Sequence, residues 1–160
     1  MTTAYYAAQL AVGLAFERFV RDQLLRLTGV DIGLYESRES QLLGESAVGL
    51  EIKRDGRFRQ TGNLYMETVE KTHRDNERWV SSGIRRRDNS TLYGIGDEAQ
   101  FFIFLKAALV DYQEQTDPPI IEIPMKTSRG FLLPVRVARA NRLIYQEYVA
   151  RGGGLWSAEP

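Results

Sequence analysis

Two carboxylates in the segment 49–71, GLEIKRDGRFRQTGNLYMETVEK, have a spacing suited to binding a divalent cation. Asp55 ends one alternating run of apolar and charged residues, and Glu67 lies within the next run, with turn-forming residues at 60–63 between them. In a tight hairpin centred on Thr61, Asp55 lies directly opposite Glu67, with side chains starting about 5 Å apart. The prediction depends on this register, because a one-residue slip would put the two carboxylates on opposite faces.

Two carboxylates with a nearby ammonium group suit Mg²⁺- or Mn²⁺-dependent phosphodiester hydrolysis. The acids supply the oxygen ligands that such ions prefer, and the ammonium helps the attacking water and stabilises the negative charge of the phosphorane. Lys71 is about 13 Å along the strand from Glu67, whereas Lys53 on the neighbouring strand is about 8 Å away by Cα atoms. We therefore favour Lys53 as the lysine of the site.

Composition excludes several other kinds of site. The chain has no cysteine, which excludes disulfides, thiolate zinc sites and a cysteine nucleophile. A single histidine makes a catalytic triad or a histidine-rich metal site hard to build. The 21 basic side chains balance the 21 acidic ones, so DNA affinity must come from local patches. The candidate phosphate contacts flanking the site are Arg57, Arg59, Lys71, Arg74, Arg85, Arg86 and Arg87.

The pattern of apolar residues predicts the elements that position these groups. A helical stripe covers 4–27 and ends at Gly29, and strands are predicted at 30–37, 47–55 and 63–71. A short helix and a loop are expected within 72–89. Aromatic and β-branched residues favour a strand at 100–105, followed by a helix at 106–114, although one continuous helix is the alternative. Extended pieces at 120–125 and 131–137 precede a final helix at 138–150.

With 160 residues, the chain is expected to form a single domain with a C-terminal extension from about residue 117. The apolar N-terminal stretch has no basic region before it, and charges begin at Glu17. We therefore expect neither a signal peptide nor a membrane span, no membrane partner, and a cytoplasmic location.

The order helix, three strands, helix, strand resembles the PD-(D/E)xK nuclease superfamily, and it is most similar to phage-type members. In these, a segment like GLEIKRD precedes one like TGNLYMETVE, followed by Ser82-Gly83-Ile84 and by Asp97 before an aromatic strand. The resemblance covers roughly residues 17–105. It implies an α/β (α+β) fold with a restriction-endonuclease-like core, in which a helix, a three-stranded meander, a helix and a strand form a mixed sheet flanked by helices.

The resemblance also implies roles for particular residues. Asp55 matches the first motif acid, Glu67 the acid of the (D/E)xK motif, and Glu17 the helical glutamate beside the metal. The family lysine would fall at residue 69, where this chain has Val69, so Lys53 is the stand-in.

A second match to the motif is the tripeptide Glu51-Ile52-Lys53, but its upstream acid is missing because Glu45 is too near. Glu51 is instead expected to form a cross-strand ion pair with Lys71.

The resemblance thus implies a Mg²⁺- or Mn²⁺-dependent DNA endonuclease with Asp55, Glu67 and Glu17 as metal ligands and Lys53 as the catalytic lysine. It further implies a homodimer, and host cytoplasm as the location if the protein is phage-encoded. The alternative is a catalytically degenerate DNA-binding or assembly protein on the same fold, which Val69 supports. A small phage structural or interaction protein with purely surface charges is a third possibility.

Overall fold

The computed structural model describes residues 3–35, 37 and 44–158. Its helices are α1 (Thr3–Thr28), α2 (Phe58–Thr61), α3 (Lys106–Thr116) and α4 (Val135–Ala140), with a 3₁₀ turn at Gly83–Arg85. Its strands are β1 (Leu50–Arg54), β2 (Asn63–Glu70), β3 (Val80–Ser81), β4 (Leu92–Gly96), β5 (Gln100–Leu105), β6 (Ile121–Glu122), β7 (Ser128–Pro134), β8 (Ile144–Arg151) and β9 (Gly154–Ser157). No helix in the described ranges is long and apolar enough to cross a membrane.

The strands form two sheets. The first has the order β1-β4-β5-β8-β9 and is mixed, because β1 and β4 run parallel while the other neighbours are antiparallel. The second has the order β3-β2-β7-β6 and is antiparallel throughout. The expected α/β class with a mixed sheet and flanking helices is therefore confirmed.

Two apolar clusters cover the two faces of the five-stranded sheet. Because side chains alternate along a strand, Phe101 and Ile103 of β5 pack on the cluster that includes α1, whereas Phe102 and Phe104 face the four-stranded sheet. The five-stranded sheet is thus the middle layer. β1 is an edge strand of this sheet and lies beside the second sheet. Polar side chains of both sheets line the cleft between them.

The local predictions that rest on strong patterns are confirmed. The helix predicted at 4–27 is α1, and Gly29 after it has a left-handed φ of 73°. The strand predicted at 63–71 is β2. The apolar run at 100–114 divides at Leu105 into β5 and α3, so the alternative of one continuous helix is wrong.

The predicted hairpin between the strands carrying Asp55 and Glu67 is wrong. β1 pairs with β4, so that Lys53 is the register partner of Ile95, while β2 pairs with β3 and β7. The connection between β1 and β2 forms the helical turn α2 instead of a tight turn. Phe58 in α2 is only 2% exposed and packs into the apolar cluster between the two sheets. The chain therefore crosses from the first sheet to the second at α2.

Three other predicted elements are corrected. The final helix predicted at 138–150 is wrong, since α4 ends at Ala140 and β8 follows, pairing with β5 and burying Tyr148. In the predicted strand 30–37, residue 36 lies outside the described ranges, and Leu34 makes a single bridge to Ser46. Within 72–89 the expected short helix is replaced by β3 and the 3₁₀ turn.

The extended pieces near the C-terminus differ in their bounds from the prediction. The piece expected at 120–125 is reduced to the two residues of β6, and the piece expected at 131–137 begins earlier, at Ser128, and ends at Pro134. The residues from 121 onward contribute strands to both sheets.

Candidate functional site

A cleft of about 640 Å³ opens between β1, at the edge of the first sheet, and the second sheet. Lys53, Asp55 and Glu67 all line it. The structure therefore brings these three predicted residues to one cleft, although Asp55 and Glu67 are not paired across a hairpin. Its other walls include Tyr65 and Tyr93.

The carboxylate of Asp55 joins the end of β1 to the start of β2. Its Oδ1 accepts hydrogen bonds from the backbone N–H groups of Arg57 and Phe58, at 2.9 and 3.1 Å. Its Oδ2 accepts one from the N–H of Tyr65, at 3.1 Å. Asp55 thus holds the turn in place. Oδ1 uses both of its lone pairs in this way, whereas Oδ2 keeps one that is available to a cation.

Three hydroxyl groups organise the carboxylate of Glu67. The hydroxyls of Ser82 and Ser128 donate to its Oε1 and Oε2, both at 2.6 Å, and the Tyr65 hydroxyl is 2.8 Å from that of Ser128. Both serines are buried, at 3% and 5% exposure. Glu67 is therefore held in one orientation at the wall of the cleft.

The ammonium of Lys53 is shared between two other carboxylates. Its Nζ lies 3.1 Å from Glu45 Oε1 and 3.1 Å from Glu51 Oε1. Burial by itself lowers the pKa of Lys53, but the charges of Glu45 and Glu51 outweigh it and raise that pKa well above its usual value. Lys53 is therefore a fixed positive charge at neutral pH and cannot act as a proton acceptor.

Glu17 lies on the other side of Lys53. It lines a second pocket of about 260 Å³ between α1 and β1, with Lys53 and Arg54 contributing to both pockets. Burial and the charge of Glu45 raise the pKa of Glu17 to about 7, against the opposing effect of Lys53. Glu17 therefore exchanges a proton near neutral pH.

Most of the predicted phosphate contacts are engaged elsewhere. Arg57 lines the cleft and is exposed. Arg59 donates to Asp97 at 2.6 Å, and Lys71 donates to the carbonyl of Arg74 at 2.6 Å.

The arginine run at 85–87 divides in a similar way. Arg85 donates to Gln113 and Glu114, at 2.8 and 3.2 Å. Arg86 pairs with Asp88 and Glu45, and Arg87 is exposed. The exposed members that keep a free approach for phosphate are thus Arg57 beside the cleft and two surface residues, Arg87 and Arg74, of which Arg74 lies 3.7 Å from the neighbouring Asp75.

Sequence reasoning missed Glu51. The predicted ion pair with Lys71 is wrong, because Glu51 is fully buried and lies 3.1 Å from Lys53 and 2.7 Å from Lys106. Glu45 was not accepted as the upstream acid of the motif, because it is too near to Glu51 in sequence. It nevertheless contacts Lys53, at 3.1 Å, because the chain turns at 46–49 before β1. The tripeptide Glu51-Ile52-Lys53 was the available signal, since strand alternation puts its two charged side chains on one face.

The donor chemistry of the cleft fits a hard divalent cation. Mg²⁺ keeps several waters and is commonly held by one or two carboxylates together with substrate phosphates, and two carboxylates line this cleft. In the part of the chain that the structure describes, no group of three or more His, Asp or Glu side chains is placed to hold a metal ion. Glu17 is accordingly not grouped with the other two acids.

Comparisons with known proteins give no relative for the chain: no protein-family model, curated protein or solved structure matches it.

Proposed function

We propose that this protein is a Mg²⁺- or Mn²⁺-dependent DNA endonuclease, a divergent PD-(D/E)xK-type enzyme with a restriction-endonuclease-like core that works as a homodimer in the cytoplasm. The observation that carries the proposal is the convergence of Lys53, Asp55 and Glu67 on one cleft, although they come from different sheets. Two carboxylates and a permanently charged lysine beside an open cleft are groups that suit metal-dependent phosphodiester hydrolysis.

In this proposal Asp55 and Glu67 would hold the metal, which on binding would polarise the phosphodiester and activate water. The hydroxyls of Ser82 and Ser128 keep the Glu67 carboxylate aimed at the cleft. Lys53 stays protonated and stabilises negative charge developing on the phosphate. Glu17, with a pKa of about 7, takes up or releases a proton at its carboxylate near neutral pH.

One observation favours the alternative, a catalytically degenerate DNA-binding protein. Asp55 already accepts three backbone hydrogen bonds and Glu67 two hydroxyl hydrogen bonds, which is how structural carboxylates are satisfied. Such a protein would bind DNA through Arg57 and Arg87 without cutting it.

The test is cleavage of supercoiled plasmid with Mg²⁺ or Mn²⁺, against the same reaction in chelator. Glu67→Gln is the cleanest variant, because one serine hydroxyl can still donate to the amide oxygen while the other rotates to accept from the amide NH₂, which keeps the side chain in place. It should lower the rate more than about 100-fold, since even the hydrogen-bonding partners of metal ligands are worth about 10–100-fold.

Glu70→Gln is the matched control, because it makes the same chemical change at an exposed position of the same strand. Asp55→Asn should also abolish cleavage, with its fold checked by circular dichroism. Cleavage that survives both Glu67→Gln and Asp55→Asn would refute the assignment. Binding of DNA in chelator with no cleavage under any metal would favour the degenerate protein.

A further inference from the structure

Six charged side chains form a closed ring behind the cleft. The sequence of contacts is Lys53–Glu51–Lys106–Asp88–Arg86–Glu45 and back to Lys53, with cations and anions in strict alternation. The N···O distances around this ion-pair ring are 3.1, 2.7, 3.6, 3.2, 3.7 and 3.1 Å. The three positive and three negative charges cancel.

The ring runs from the protein interior to the cleft. The side chains of Glu51, Asp88 and Lys106 are 0%, 1% and 7% exposed, whereas Lys53 is 35% exposed and lines the cleft. Charged groups are seldom buried this deeply unless they are paired, and here each buried charge has two partners of opposite sign. Only the arc that contains Lys53 faces the candidate site.

Hydrogen bonds anchor the ring to the backbone on both sides of Lys53. Glu45 Oε2 accepts the N–H of Ile52 at 3.2 Å. Ser90 receives a hydrogen bond from Lys106 Nζ at 2.6 Å, and its own N–H donates to Asp88 Oδ1 at 2.8 Å. Glu45 is therefore fixed directly by the backbone of β1, and Glu51 is held by its ion pair with Lys106, which Ser90 anchors in turn.

Lys53 requires such support, because a lysine carries its charge on a flexible four-carbon stem with many rotamers. Two carboxylates flank its ammonium: Glu45 Oε1 accepts a hydrogen bond from it, and Glu51 Oε1 lies 3.1 Å away as an ion-pair partner. Lys106 holds Glu51 at one end of this arrangement, and Arg86 holds Glu45 at the other.

We infer that Lys106 is a positioning residue, which acts through Glu51 to hold the Lys53 ammonium where it meets the scissile phosphate. The inference rests on the proposed function for its catalytic consequence. It also assigns a purpose to two buried charges, Glu51 and Lys106, that the proposed reaction does not use directly. Arg86 has the corresponding place on the Glu45 side of the ring.

Lys106→Met tests this inference together with the double variant Glu51→Gln/Lys106→Met. The single variant leaves Glu51 with one cation, so both stability and Lys53 placement should suffer. In the double variant the buried charge is removed along with its partner, so the urea midpoint should recover. Lys53 has still lost Glu51, and its placement should not recover.

For cleavage of a labelled DNA duplex with Mn²⁺, Lys106→Met should lower kcat between about 10- and 100-fold with little change in KM, as for displaced catalytic groups. The double variant should show the same loss of kcat despite its recovered stability. Arg139→Met, which removes the Arg139–Glu147 pair away from the ring, is the control and should leave kcat unchanged. Recovery of kcat in parallel with stability would mean a purely structural role and would overturn the inference.

A second measurement does not depend on cleavage. The ¹H–¹⁵N signal of the Lys53 ammonium, assigned by its absence in Lys53→Arg, should shift or broaden in Lys106→Met and stay unchanged in Arg139→Met. If wild-type protein cuts no DNA, the proposed function fails while this signal still decides whether Lys106 positions Lys53. A Lys53 signal identical in wild type and Lys106→Met would overturn the inference.

Discussion

Replacing Glu17 with glutamine should make the protein more stable at alkaline pH and no more stable at acidic pH. Glu17 lies on α1 against β1, where burial and the charge of Glu45 raise its pKa from the ordinary 4.5 to about 7. The folded protein therefore holds this proton over a pH range in which the unfolded chain has released it. Ionising Glu17 in the fold costs free energy, and glutamine avoids that cost.

The sign and size follow from the two pKa values. Below about 4.5 the carboxyl is protonated in both states and contributes no pH dependence. As the pH rises from 4.5 to about 7, the unfolded state loses the proton first, so stability falls and then levels off above 7. The separation of the two values sets an upper limit of about 3 kcal/mol. Glu17 is partly exposed, and solvent screening should reduce the effect to about 1–2 kcal/mol.

Urea unfolding of wild type and Glu17→Gln, followed by circular dichroism at about pH 4 and about pH 8, measures this difference directly. The variant should gain its stability only at the higher pH. Asp22→Asn is the matched control, because Asp22 lies on the same helix with a side chain that is 60% exposed. If the two proteins differ equally at both pH values, or if Glu17→Gln is less stable at the higher pH, the electrostatic account of this site is wrong.

Three further substitutions test the packing that positions the site. In Gly130→Ala, the new Cβ would come within 2.1 Å of the Met66 carbonyl oxygen on the paired strand, so β2 and β7 must separate, and urea unfolding should show a loss of about 3 kcal/mol or more. Gly13→Ala is the converse case, because no atom beyond the adjoining backbone of α1 lies within 4 Å of its new Cβ, and the higher helix propensity of alanine should add about 0.5–1 kcal/mol in the same assay; a loss there would contradict the structure of α1. Phe102→Ala should cost about 3–5 kcal/mol, since Phe102 is fully buried between the sheets, and a cost below about 1 kcal/mol would show that this core is not formed.

Several elements could be predicted from the sequence because their causes are local. The apolar stripe of α1 and the left-handed Gly29 after it depend on residues a few positions apart. The change from aromatic residues to Lys-Ala-Ala-Leu at Leu105 likewise marks the boundary between β5 and α3. The failure at 138–150 has a non-local cause: the sequence there is compatible with a helix, but pairing with the distant β5 makes most of it a strand.

The candidate site shows the same division. That Asp55, Glu67 and Lys53 lie close together was predicted from their chemistry and proximity in sequence, and all three line one cleft. The predicted route was a hairpin, whereas the observed route is a crossing between two sheets. Strand pairing depends on contacts between distant segments, which the spacing of residues along one segment does not specify.

By itself, the sequence determined the residue types available for chemistry, the absence of cysteine, and the helices and strands whose patterns are strong. Only the tertiary structure decided which charges are buried and which charges meet. Glu51 looks like a solvent-facing residue of an alternating strand, yet it is fully buried between Lys53 and Lys106. The ion-pair ring draws on the segments 45–53, 86–88 and 106, which are distant in sequence and meet only in the folded chain.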